Sequence, residues 1–197
     1  MSTHLPVSTD PVAAAAERQN WIHPGATAAQ QAIQSAFKDS GPGGEKLLSF
    51  LHGDWLHEPL HAVLTDVPIG AWTVTILCDA VGAFQHDDQA MNTVADASLA
   101  IGLAGAVGAA VTGLADWSEV REEAPRRIGA VHALLNIGAT ALFMASMVAR
   151  RRDTSRSRVR ALAALGYAVA SLSAHLGGNL VYEHGVGVRD RPQPQLP

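Results

Sequence analysis

Four long apolar blocks, separated by charged connections, set the pattern of this chain. They cover residues 67–84, 91–115, 128–149 and 159–181. Each is close to the ~20 residues that a helix needs to cross a ~30 Å hydrocarbon core. A soluble bundle would show a polar face of helical period, and the blocks have almost none. The pattern therefore predicts an all-α fold, an integral membrane four-helix antiparallel bundle over residues 60–188. Thr65 or Asp66 stands where it can cap the first span, and Pro68 falls in its first turn, where a missing N–H costs nothing. The second span carries Gly102, Gly105 and Gly108 with Ala106, Ala109 and Ala110, small residues that let helix backbones approach closely in lipid.

Ahead of the spans the pattern changes. Residues 1–25 are rich in Ala, Ser and Pro and predict a loose tail. Residues 26–59 predict an amphipathic helical segment. In "TAAQQAIQSAFK", Ala29, Ile33, Ala36 and Phe37 can form one apolar face. "DSGPGG" stops that helix. "EKLLSFLHGDWL" then gathers Leu47, Leu48, Phe50, Leu51 and Trp55, which suit either the lipid headgroup layer or a cap folded over the bundle. Residues 189–197 read as a second tail.

Composition agrees with a membrane chain. Of 197 residues, 48% are hydrophobic and only 16% charged, against about 25% charged in ordinary soluble domains. The net charge of -4 offers no basic field for nucleic acid. Cys78 is the lone cysteine, so an internal disulfide, a cysteine-based zinc site and an iron–sulfur cluster held by this chain alone are excluded. The N-terminus lacks a basic stretch followed by an apolar one, so the first span is expected to direct insertion. The loop "ARRRDTSRSRVR" holds Arg150, Arg151, Arg152, Arg156, Arg158 and Arg160. Lys46, Arg121, Arg126, Arg127, Arg189 and Arg191 gather at the opposite face. The counts tie, but the loop is the denser cluster. The positive-inside rule then places it in the cytoplasm and both termini outside, across the cell inner membrane.

The polar residues of the spans are segregated. Up-and-down topology brings the start of span one, the end of span two, the start of span three and the end of span four to one face. His57, Glu58, His61 and Asp66 stand at the first of these places. Thr112, Asp116 and Trp117 stand at the second; Arg126, Arg127, His132 and Asn136 at the third; His175, Asn179, Tyr182, Glu183 and His184 at the fourth. Of the histidines near the spans, only His86 falls on the Arg-loop side. His132 and Asn136 are four apart, as are His175 and Asn179, so each pair shares a helix face. Polar groups within a bilayer normally face the bundle interior. This predicts one pocket, with His132 and His175 the best-placed ligands, His61 third, and Asp116 and Asn179 beside them. The same histidines can instead be satisfied by Asn136, Asn179 or backbone carbonyls. Asp116 can pair with Arg126 or Arg127, Trp55 and Trp117 can act as interfacial anchors, and Asp79 can pair with Arg150.

Four stretches, "LHGDWLHEPLHAVLTDVPIGAW", "TGLADW", "RRIGAVHALLN" and "HLGGNLVYEHGVGV", resemble the bacterial membrane family called domain of unknown function 2231. The resemblance covers roughly residues 37–188. It implies a four-helix membrane domain. Because relatives are often fused or encoded with a Rieske-type iron–sulfur domain, it also implies a link to electron transfer. The family's G-H-P-L-H-P places its second histidine on His61 and its first on Glu58, with His57 one place earlier. Where the family often has G-G-H-L-V-Y, this chain has Asn179, and His175 stands one turn before it. No Rieske segment is present in this sequence.

Three functions follow. One is a redox module of the membrane, partnered by a Rieske-type or quinone-linked protein, that holds a non-covalent b-type haem through two of His61, His132 and His175. Another is a transition-metal binding or transport site built from His61, His132, His175 and Asp116. The third is a structural anchor or assembly partner without a cofactor. Ser118, Ser171 and Ser173 lack the strained Gly-x-Ser-x-Gly turn of a serine nucleophile, so nothing in the sequence singles out an enzyme.

Overall fold

A computed structural model describes residues 8–85, 88–152 and 154–188, and among them it is all helical. His86, Arg189 and Arg191 lie outside the described residues. Seven α-helices follow one another: α1 Pro11–Glu17, α2 His23–Asp39, α3 Gly41–His52, α4 Leu60–Phe84, α5 Gln89–Ser118, α6 Glu123–Arg150 and α7 Arg156–Tyr182. The last four are the long apolar ones, each of a length and composition that can cross a membrane.

The spans are longer than the apolar blocks because their polar first and last turns stay helical. α4 begins at Leu60, directly after the extended Pro59. Thr65 and Asp66 are therefore interior and cap nothing; the Thr65 hydroxyl donates to the Ala62 carbonyl instead. Pro68 is likewise inside the helix rather than in its first turn. Its ring packs against Gly105 of α5, where a Cβ would come within 2.9 Å of it. Asp88, by contrast, is a true cap, its carboxylate accepting the N–H groups of Ala90 and Met91 at the start of α5.

α4 packs along α5 as one hairpin, and α6 along α7 as another. The hairpins meet through α5 against α6 and α4 against α7, so α4 and α6 stand on a diagonal. Trp72 and Phe143 reach across that diagonal and stack with centroids 4.1 Å apart. Leu99, Leu103, Met147 and Ala163 complete this core. Outward, the spans show Leu77, Ile101, Val107, Ile137 and Leu165, all more than half exposed. Such a belt suits hydrocarbon rather than water.

The N-terminal region departs from the expected loose tail. Asp10 caps α1, accepting from the N–H groups of Val12 and Ala13. Ala13 and Ala16 are buried against Ile128, Leu176 and Leu180 of α6 and α7. Alanine's small side chain lets α1 lie close on the bundle, a role that composition does not separate from disorder. α2 starts at His23, and its buried face is Ala26 and Gln30, with Ala29 and Ala36 exposed. "DSGPGG" makes only a sharp corner: Gly41 takes φ +55° and α3 follows at once. α3 ends at Gly53, whose φ of +79° and contact with the Glu58 carbonyl leave no room for a side chain.

Candidate functional site

The bundle has a polar cluster at each end. At the end nearest α1–α3, His61 of α4 places Nδ1 2.8 Å from the Ala109 carbonyl of α5. His132 of α6 places Nδ1 2.8 Å from the Ser173 carbonyl of α7. A carbonyl oxygen can only accept, so both rings carry their proton on Nδ1. That leaves Nε2 with the lone pair, and on His132 it accepts from the Asn136 amide at 3.0 Å. Each ring lies over a glycine. A Cβ on Gly113 would come within 2.7 Å of His61, and one on Gly177 within 3.0 Å of His132.

His175 does not join them. It sits on another face of α7, half exposed, and its Nε2 meets the Asp10 carboxylate of the N-terminal arm. The expected His132–His175 ligand pair is therefore not formed. Asp10 sits below its ordinary pKa of 3.8: desolvation pushes it upward, and the bonds from Val12, Ala13 and His175 outweigh that. Asp116 also points elsewhere, toward His52 of α3 at 3.7 Å. Its expected partners turn away. Arg126 donates to the Arg121 carbonyl, and Arg127 contacts Glu123 and Asn20. Among the described residues no three His, Cys, Asp or Glu side chains are grouped to hold a metal ion, so the quartet of His61, His132, His175 and Asp116 is not assembled.

The supporting residues divide similarly. Asn136 serves His132, and Asn179 is buried within reach of the Ser8 hydroxyl. His57, Glu58 and Asp66 are exposed, and Tyr182 is 88% exposed. Trp117 is no lipid anchor: its indole donates to the Arg126 carbonyl and packs over Gly129 and beside Ile22 and Ala26. Trp55 is exposed and stacks on Phe50, consistent with an interfacial place. Gln30 and Gln34 of α2 were not among the expected polar groups. They donate to the Trp117, Val120 and Ser118 carbonyls and so satisfy the free end of α5. Their fourfold spacing was the available signal.

The other cluster closes the far end, about 18 residues or roughly 27 Å away along the helix. Arg150 bonds both Asp79 and, at 2.6 Å, Asp96, with its side chain fully buried. Arg156 contacts Asp96 at 3.1 Å, Arg160 reaches Asn92 at 3.1 Å, and Arg160 lies 3.9 Å from Asp79. The expected Asp79–Arg150 pair is thus present within a larger network.

The model of the family described as predicted membrane protein, DUF2231, matches residues 57–190. The chain belongs to this family. The match covers all four spans of this DUF2231 protein and excludes α1–α3. No curated protein and no solved structure matches the chain.

Proposed function

We propose that this DUF2231 protein is a membrane-embedded scaffold, an assembly partner of an electron-transfer enzyme, in which histidines fasten helices. The observation that carries this is the satisfaction of His132: Nδ1 is engaged by Ser173 and Nε2 by Asn136. His61 joins α4 to α5 through Nδ1 and the Ala109 carbonyl, and His175 joins α7 to the arm. The redox link rests on the resemblance to a family whose members occur beside Rieske-type domains. The cap formed by α1–α3 gives a partner a surface outside the lipid. The Arg-rich end faces the cytoplasm and the cap faces outward, as the denser positive cluster implies. Detergent-purified protein should show no Soret band and no stoichiometric transition metal. A Soret band that disappears in His132→Ala would overturn the scaffold reading.

A second reading is favoured by one feature. His61 and His132 are both held through Nδ1–H to a carbonyl, the second-sphere arrangement that aims Nε2 at a metal. A b-type haem on the diagonal between α4 and α6 would use this pair and not His175. On His132 the Asn136 amide would first have to turn away. Haem titration of the purified protein separates the readings: saturable binding lost in both His61→Ala and His132→Ala supports the second.

A further inference from the structure

The two hairpins match each other residue by residue. Adding 71 to a residue number on α4 gives its counterpart on α6; adding 64 does the same from α5 to α7. Under these offsets His61 falls on His132 and Ala109 on Ser173, so the two histidine–carbonyl bonds coincide. Gly113 falls on Gly177, the glycine under each ring. Thr75 falls on Ser146 and Ala95 on Val159, and each hydroxyl donates to that carbonyl. Trp72 falls on Phe143 and Gly102 on Gly166, the glycine against each aromatic ring. The buried positions of α5 at Ala95, Leu99, Gly102, Ala109, Thr112 and Ala115 become Val159, Ala163, Gly166, Ser173, Leu176 and Asn179, all buried in α7. No gap is needed within any helix.

The charged end obeys the same operation. Asp79 and Arg150 are counterparts and bond each other across the diagonal, as Trp72 and Phe143 stack across it. Asp96 and Arg160 are counterparts, so the Asp96–Arg150 pair maps onto Arg160–Asp79. Asn92 and Arg156 are counterparts, so Arg160–Asn92 maps onto Arg156–Asp96. Each of these ion-pair contacts has its mate, with their acids on the first hairpin and their arginines on the second.

We infer that the membrane domain is one helical hairpin used twice. Its inner face is an interface for a second copy of the same hairpin, packed about a pseudo-twofold axis along the bundle. The divergence of charge makes the two copies an unlike pair. Two like acidic hairpins would set Asp79 against Asp79 on the axis, and two basic ones Arg150 against Arg150. Either arrangement places unpaired like charges in a low dielectric. The interface therefore selects the partner carried in its own chain and disfavours exchange between chains. The inference stands on the matched contacts and does not depend on whether the histidines bind anything.

The test exchanges counterparts in the full-length chain. Asp79→Arg or Arg150→Asp alone should sharply lower the Tm in detergent. The sixfold exchange, Asp79→Arg, Arg150→Asp, Asp96→Arg, Arg160→Asp, Asn92→Arg and Arg156→Asn, rebuilds these contacts with the hairpins' roles reversed and should restore most of that loss. A sixfold variant no more stable than the single ones would overturn the inference. A second measurement needs no disruptive change. In a Cys78→Ser background, spin labels at Leu77 and Leu165 should give the same distance distribution as labels at their counterparts Val148 and Ile101. Clearly different distributions would overturn the pseudo-twofold relation.

Discussion

At the scale of the residue, His132 acts through both ring nitrogens, and this makes its loss measurable. His132→Ala removes the bonds to Ser173 and Asn136 and leaves the Asn136 amide without its acceptor. A buried polar group left unsatisfied costs about 1–3 kcal/mol. The Tm of His132→Ala should fall accordingly in a detergent melt. His175→Ala should leave the bundle's melting almost unchanged, because that ring is half exposed and touches the arm. The sequence exposed this contrast only in part. Fourfold spacing shows that His175 and Asn179 share a face, but not which neighbour the face meets. Ser173, two residues before His175, points to α6 instead, and a sequence reading centred on titratable groups passes over a serine.

At the scale of the element, α1 is an arm held by alanines and by one carboxylate. Asp10 has a lowered pKa in the folded protein. A depressed carboxylate contributes stability above its unfolded pKa and loses it as pH falls through the folded value. The arm should thus stay docked near neutral pH and loosen in acid, below the ordinary 3.8. Amide protection of residues 11–17, taken relative to the intrinsic exchange rate at each pH, checks this: protection should fall on acidification, and Asp10→Asn should be less protected at neutral pH. The helix–helix seam offers a sterner case. A side chain at Gly102 would enter the Trp72 ring. Gly102→Leu should destabilise by about 1–3 kcal/mol through overpacking, read as a lower Tm. The spans themselves were legible because their periodicity, length and lack of charge agree. Their starts were not, because His61 and Asp66 read as entrance groups although α4 already runs through them. Pro68 misled for the same reason. The room for its ring is left by Gly105, which belongs to another helix and cannot be paired with it from one sequence.

At the scale of the whole molecule, two polar ends about 27 Å apart along the helices are joined by an apolar belt, which is the geometry of a bilayer-spanning body. The buried network at the Arg end is the more vulnerable of the two. Asp79→Ala takes from the fully buried Arg150 one of the two carboxylates that hold it, leaving Asp96. Breaking such a pair typically costs about 3–5 kcal/mol, so a large drop in Tm or in folded yield is expected. The Asp79–Arg150 pair could be anticipated from charge and position, whereas the full network depends on the packing of two hairpins. Membrane crossing itself is tested most directly by cysteine labelling with an impermeant reagent on intact cells, in a Cys78→Ser background. The reporters are Ser155→Cys in the Arg-rich loop and Glu119→Cys at the opposite end; both sites are exposed, whereas the nearby Ser118 is buried. The account predicts that Glu119→Cys reacts and Ser155→Cys reacts only after permeabilisation. Reaction of both sites on intact cells would contradict a bundle that spans the membrane, and the reverse pattern would contradict the orientation.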